Sequence, residues 1–182
     1  MSALEQPLRD LFGFEEFRPG QEAVVRAAVE GRDTLALMPT GSGKSLTYQL
    51  AAMLRPEPTL VLSPLIALMK DQVDKLPPRV AAHATFVNSS LDAAESARRL
   101  DEVATGGKRL VYAAPERLRQ ATFLELCRSV GIGLVVVDEA HCVSMWGRSC
   151  RRPAPAGRRR TRARRWSSGR RRCRPVAPWR AP

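Results

Sequence analysis

Between about residue 33 and residue 138, short uncharged apolar runs alternate with longer stretches in which apolar positions recur every three or four residues. That alternation predicts βαβ units, and so an α/β core around a mostly parallel sheet. Thr34 to Met38, bounded by Gly31 and Pro39, carries no charge and predicts a central strand buried on both faces. Lys44 to Leu54 predicts a helix and Thr59 to Leu62 a second strand. Ser63-Pro64 then offers an N-cap and a first-turn proline. In the helix behind it, Leu65, Leu68, Met69, Val73 and Leu76 share one face opposite Lys70, Asp71, Asp74 and Lys75, until Pro77-Pro78 stops the segment.

Val80 to Val87 predicts a weaker strand. Ser89, with Asp92 three residues on, has capping-box spacing for a helix from about Leu91 to Ala104, ended by Gly106-Gly107. Arg109 to Ala114 predicts a strand, and Pro115 opens a helix reaching about Val130. Gly133 to Val137 is the most buried-looking strand of all, and it delivers Asp138 and Glu139 at its C-terminal end.

Composition changes this picture at one place. Residues 1–147 hold 16 Lys and Arg and all 18 Asp and Glu, whereas residues 148–182 hold 14 Arg and no acid, so the net charge of +12 belongs to the tail. The tail has no Leu, Ile, Phe, Tyr or Met, too little apolar surface to fold, and is expected to be disordered. The chain thus divides into a partial domain over 1–147 and a basic tail over 148–182. The abrupt switch to Arg, Pro, Ala, Gly and Trp, all with GC-rich codons, is what a shifted reading frame in a GC-rich gene produces. The alternative is a nucleic-acid-binding arm whose grip on phosphates is steeply salt-dependent and indifferent to sequence.

No apolar run approaches the ~18–20 residues of a membrane span, and Met1 to Phe12 lacks the features of a signal peptide. The four cysteines are widely spaced, without a C-x-x-C pair, and only two histidines accompany them, which argues against structural zinc and against a disulfide framework. A reduced, cytoplasmic setting with no membrane partner is the expectation.

The candidate chemistry begins at Met38-Pro-Thr-Gly-Ser-Gly-Lys-Ser45, between a predicted strand and a predicted helix. Such a loop cradles phosphates: Thr40, Gly41, Ser42 and Gly43 present backbone N–H groups, Lys44 reaches the β- and γ-oxygens, and Ser45 ligates Mg²⁺. Met38 stands where the strict pattern has its first glycine. Val135-Val-Val-Asp-Glu139 supplies the other half of an ATP-hydrolysing site, with Asp138 as the Mg²⁺ carboxylate and Glu139 as general base toward the attacking water. A small-molecule kinase using the same loop would need an acceptor-substrate constellation that the sequence lacks.

Five blocks in order then resemble the first motor lobe of superfamily 2 helicases, and in detail the RecQ-type DNA helicases: Phe14-Glu-Glu-Phe-Arg-Pro-Gly-Gln21, the phosphate loop, Leu62 to Leu76, Tyr112 to Leu118, and Asp138-Glu-Ala-His-Cys-Val-Ser-Met-Trp-Gly147. The resemblance implies a RecA-like P-loop lobe and an ATP- and Mg²⁺-dependent 3′-to-5′ helicase acting on single-stranded or partly duplex DNA in repair and recombination. It implies that Phe14 stacks on adenine while Arg18 and Gln21 contact it, and that His141 couples nucleotide state to DNA state. The loops at Ser63-Pro64 and Pro115-Glu116 would line a groove for a single strand, although helix capping explains both pairs equally well. Trp146 would sense single-stranded DNA, a position where a lone Trp otherwise packs. His83 has no matching role. Beyond Gly147 the chain reads Arg148-Ser-Cys-Arg-Arg152 where the family continues its aromatic-rich loop, so the resemblance covers about residues 4–147, and such a lobe alone is expected to bind Mg·ATP weakly without unwinding duplex.

Overall fold

The structure is a computed structural model that describes residues 2–143. Trp146 and the basic tail, with the expectations attached to them, lie outside the described residues.

Four parallel strands form one sheet: β1 (Thr59–Leu62), β2 (Ala84–Val87), β3 (Leu110–Ala113) and β4 (Leu134–Val137), in the order β2-β3-β1-β4. Parallel strands require crossovers, and here these are helical, which covers both faces. Helices α3 (Lys44–Leu54), α4 (Ile66–Asp74) and the short α5 (Pro78–Ala81) pack on one face, where Tyr48, Ala52, Met69 and Val80 meet Val61 and Tyr112. On the other face α6 (Ala93–Ala104) and α7 (Ala121–Val130) bring Val103 and Phe123 onto Leu60, Leu62, Val111 and Ala113. The period-two alternation of β1 explains the division, with Val61 facing one way and Leu60 and Leu62 the other. Outside α3, α1 (Glu5–Phe12) and α2 (Gln21–Val29) add a third cluster around Leu8, Val25 and Leu50. β1 and β3 are buried at all four positions, as central strands must be.

Several expectations from the sequence are corrected. Thr34 to Met38 is not a strand; it runs as an unpaired segment with Leu35 77% and Leu37 87% exposed. β4, expected to be the most buried strand, alternates half-buried and exposed residues, and Val135 and Val137 stand open. β4 is the last strand on its side of the sheet, among the described residues nothing pairs its outer edge, and the open groove between it and the 33–38 segment leaves Leu35, Leu37, Val135 and Val137 uncovered.

Helix boundaries shift for local reasons. Ser63 does not cap α4, whose N-cap is Leu65; Ser63 extends β1, donating its N–H to the Ala113 carbonyl at 3.2 Å. α6 is capped by Asp92 rather than Ser89: the Asp92 Oδ1 accepts from the Glu95 N–H at 2.7 Å. The preceding residues are taken up in a turn in which the Asn88 Oδ1 accepts from both the N–H and the hydroxyl of Ser90. The expected strand from Val80 divides into α5, opened by Pro78 at its first turn, and β2. Pro115 opens a 3₁₀ turn, Pro115–Arg119, before α7 begins at Ala121. Among the described residues, no helix is long and apolar enough to cross a membrane.

Candidate nucleotide and nucleic-acid site

The C-terminal ends of three strands lie level, because Leu62 pairs with Ala113 on one side and Val137 on the other. The next residues, Ser63, Ala114 and Asp138, therefore emerge along one edge, where ligands bind in open parallel sheets. The phosphate loop comes to that edge from the N-terminal side of α3. Gly41 and Gly43 both adopt φ of +79°, a conformation that a side chain disfavours, and Gly43 is the N-cap of α3 with no side chain capping the helix. The Leu46 N–H donates to the Gly43 carbonyl at 3.2 Å, and the remaining first-turn amides of this eleven-residue helix are left for an external acceptor, beside the positive end of its dipole.

Gln21 holds this loop from behind. It is 1% exposed, and its Nε2 donates to the carbonyls of Ser42 at 2.9 Å and Gly43 at 3.2 Å while its Oε1 accepts from the Arg18 N–H at 2.9 Å. A Cβ on Gly43 would lie 2.6 Å from that Nε2, so the glycine is required by close approach as well as by its φ. The Arg18 guanidinium donates to the Gly41 carbonyl at 2.7 Å. Expected as base readers, Arg18 and Gln21 thus spend these donors on the phosphate loop, whereas Phe14 is 51% exposed beside them. Thr40 is exposed at the loop's tip, and the Ser42 hydroxyl donates to the Pro39 carbonyl at 2.6 Å.

Across the site, Asp138 is half-buried, and that burial raises its pKa above the ordinary carboxylate value, with the neighbouring Glu139 charge adding to the effect and the Glu139 N–H, the Tyr48 hydroxyl and the Lys44 charge opposing it. The Tyr48 hydroxyl reaches the Asp138 Oδ2 at 3.4 Å. Glu139 is the one non-glycine residue with positive φ among those described, at 51°, a strained conformation that turns the chain sharply after β4. Its Oε2 lies 3.3 Å from the His141 Nδ1. Lys44, Tyr48, Asp138, Glu139 and His141 all line one groove of about 570 Å³ between the 33–38 segment and β4.

The residues fit a magnesium-bound polyphosphate. An uncapped helix start offers donors to an anion, Lys44 adds a positive charge, and the Asp138 carboxylate, whose charge burial disfavours, gains from a cation. Among the described residues no three of His, Cys, Asp and Glu cluster to hold a metal by themselves, and magnesium typically takes one or two protein ligands with phosphate and water completing its shell. Farther along the edge, Ser63 is 2% exposed with a hydroxyl that has no partner, Pro64 is half-buried, Pro115 is buried, and Glu116 is exposed. Leu65 and Ile66 stand exposed beside Ser63. Sequence reasoning gave no role to Tyr48, whose hydroxyl reaches Asp138, or to Gln49, whose amide donates to Gln72 and to the Tyr112 hydroxyl in the core behind this edge. Its one signal was polar residues on the inward face of a helix and in an apolar strand.

Sheet, loop and paired acids define a P-loop nucleotide-binding lobe. Residues 18–154 match the DEAD/DEAH box helicase family, and the chain belongs to it. It is 42% identical over 145 residues to the ATP-dependent DNA helicase RecQ of Bacillus subtilis, covering 79% of this chain and 24% of that protein. It is 42% identical over 144 residues to RecQ of Haemophilus influenzae, covering 79% of this chain and 23% of the relative. Against the probable DNA helicase RecS of Bacillus subtilis it is 40% identical over 151 residues, covering 83% of this chain and 30% of RecS. The chain thus spans about a quarter of the length of the relatives it matches. In fold it is similar to a crystal structure of a hypothetical ATP-dependent RNA helicase from Sulfolobus tokodaii, with a TM-score of 0.61 at 21% identity, over 79% of this chain and 43% of that one.

Proposed function

We propose that this chain is the nucleotide-binding lobe of a RecQ-type, ATP-dependent 3′-to-5′ DNA helicase acting in repair and recombination from the cytoplasm. The observation that carries the reading is the uncapped start of α3, held by Gln21 and Arg18 and facing Asp138, on the sheet edge that also presents Ser63 and Pro115. In this reading Phe14 stacks on the adenine while Arg18 and Gln21 contact it. Amides of residues 40–43 and the Lys44 ammonium bind the phosphates. Mg²⁺, held by the Ser45 hydroxyl and the Asp138 carboxylate, would neutralise charge developing on the phosphate oxygens. Glu139 takes the proton of the attacking water, and His141, 3.3 Å from the Glu139 carboxylate, couples nucleotide state to DNA state. The loops at Ser63-Pro64 and Pro115-Glu116 take the phosphodiester backbone of a single strand.

The test is the anisotropy of a labelled oligothymidine with the whole chain and with a variant ending at residue 147, with and without Mg·ATP. DNA affinity that survives the deletion and depends on nucleotide supports the lobe as the binder. Affinity lost with the tail, with only steep salt dependence beforehand, favours the second reading, a basic protein that binds nucleic acid through its 14 tail arginines.

A further inference from the structure

Helices α2 and α3 lie side by side with their N-termini together, and each end of the pair is tied by one polar side chain. At the front, Gln21, the first residue of α2, donates to the Ser42 and Gly43 carbonyls where α3 begins. At the rear, Arg55, the C-cap of α3, reaches the last turn of α2. Its Nη1 donates to the Ala28 carbonyl at 2.9 Å and the Val29 carbonyl at 3.3 Å, and its Nη2 lies 3.4 Å from the Glu57 carboxylate. Carbonyls of a last helical turn have no further turn to bond to, and a cation there also meets the negative end of the helix dipole. The two ties stand roughly 16 Å apart, the length of eleven helical residues at ~1.5 Å each.

Between the ties the contact is apolar, with Val25 and Val29 of α2 in one cluster with Leu46, Leu50 and Leu54 of α3. Apolar burial is non-directional and leaves the tilt of α2 open, whereas hydrogen bonds have a direction and fix it. That tilt governs the phosphate loop, because the segment leading into the loop, Thr34 to Met38, pairs with no strand and cannot brace it. The brace is α2, through Gln21 and the adjoining Arg18. Arg55 is also a costly way to hold two helices together: its side chain is 14% exposed and its Nε has no partner, a desolvated donor that an apolar side chain would avoid.

We infer that Arg55 is a positioning residue for the phosphate loop, acting from the far end of α3. By fixing the last turn of α2 it sets the tilt at which Gln21 meets the Ser42 and Gly43 carbonyls. Without it, α2 turns about the Val25–Leu50 region and Gln21 draws away from the loop. This inference rests on the proposed function, which supplies the nucleotide.

The test measures binding of a fluorescent ATP analogue with Mg²⁺ to the whole 182-residue chain, below every melting transition, in the native sequence, Arg55→Met, Arg55→Lys, Gln21→Met, and Arg55→Met combined with Gln21→Met. Methionine keeps the stem and removes the donors. Arg55→Met should weaken binding about fivefold or more, the scale of coupling between distant sites. Arg55→Lys, which keeps a cationic donor at the end of α2, should recover part of that loss. Sites this far apart ordinarily act independently, but with the front tie already gone Arg55→Met should change affinity by less than about twofold. A role in stability alone would move melting and leave affinity unchanged. Should Arg55→Met fail to melt cooperatively, Arg55→Gln, which keeps a neutral donor, takes its place in the comparison. Native affinity in the Arg55 variant, or a loss by the same factor in both backgrounds, overturns the inference and leaves the proposed function standing. A native chain that melts cooperatively but binds no nucleotide removes both.

Discussion

Replacing Gln21 by Glu isolates the contact that holds the phosphate loop. The substitution keeps the size of the side chain and the acceptor facing the Arg18 N–H, but it replaces the donor that reaches the Ser42 and Gly43 carbonyls at 2.9 and 3.2 Å. Two hydrogen bonds are lost, at about 1 kcal/mol net each, and a carboxylate at a site 1% exposed faces two carbonyl oxygens, which adds about 1–3 kcal/mol. At neutral pH the total is about 3–5 kcal/mol. For a chain of this size, each kcal/mol lowers Tm by roughly 2–4 °C, so a fall of the order of 10 °C is expected. The sign with pH is fixed by the same geometry. Burial against carbonyls raises the pKa of the new carboxyl in the folded state, so the folded state binds more protons, and stability is lost as pH rises between the unfolded and folded values. Below the unfolded value the protonated acid donates to one carbonyl and most of the deficit disappears. The assay is thermal melting of Gln21→Glu and the native chain across pH 4 to 8. Equal melting temperatures throughout would show that Gln21 does not hold the loop.

Three further outcomes follow from the structure. Leu37→Lys should leave Tm within about 2 °C of native, because Leu37 is 87% exposed; a fall equivalent to ~2–5 kcal/mol would mean that this leucine is buried in a central strand after all. Asp92→Ala should cost about 1 kcal/mol through loss of the α6 cap while Ser89→Ala costs almost nothing, and the reverse ranking in denaturant melts would move the cap back to Ser89. Burial raises the Asp138 pKa, so the folded state binds more protons above pH 3.8 and its stability falls as pH rises through the raised value. Without Mg²⁺, Asp138→Asn should therefore raise Tm at pH 7 and lose that advantage below about pH 3.8; a lower Tm at pH 7 would contradict the burial argument.

Much of the fold was legible because its signals are local. Lys44–Leu54 and Thr59–Leu62 have the bounds that periodicity and flanking residues predict. The acids at the end of a valine run stand beside the phosphate loop, as strand-to-turn logic requires. What the sequence misjudged depends on neighbours. An apolar run specifies burial only if a layer covers it, and Thr34 to Met38 and β4 are open where the composition reads as interior. Capping is decided by competition: Ser89 loses to Asp92 because Asn88 and Ser90 first close their own turn. The hold of Gln21 on the phosphate loop was not legible, because a glutamine side chain carries no sign in sequence of the carbonyls it will meet. The buried hydrogen bond from Gln49 to the Tyr112 hydroxyl joins residues 63 positions apart, and no local pattern announces it.

Calorimetric titration of Mg·ATP into the native chain and into Lys44→Ala tests the central claim most directly. The account predicts one saturable site in the native chain, with affinity at least about tenfold weaker in the variant, the equivalent of losing charge-assisted hydrogen bonds of ~1.5–3 kcal/mol. A native chain that melts cooperatively yet shows no saturable binding, or a variant that binds as tightly as the native chain, would contradict it.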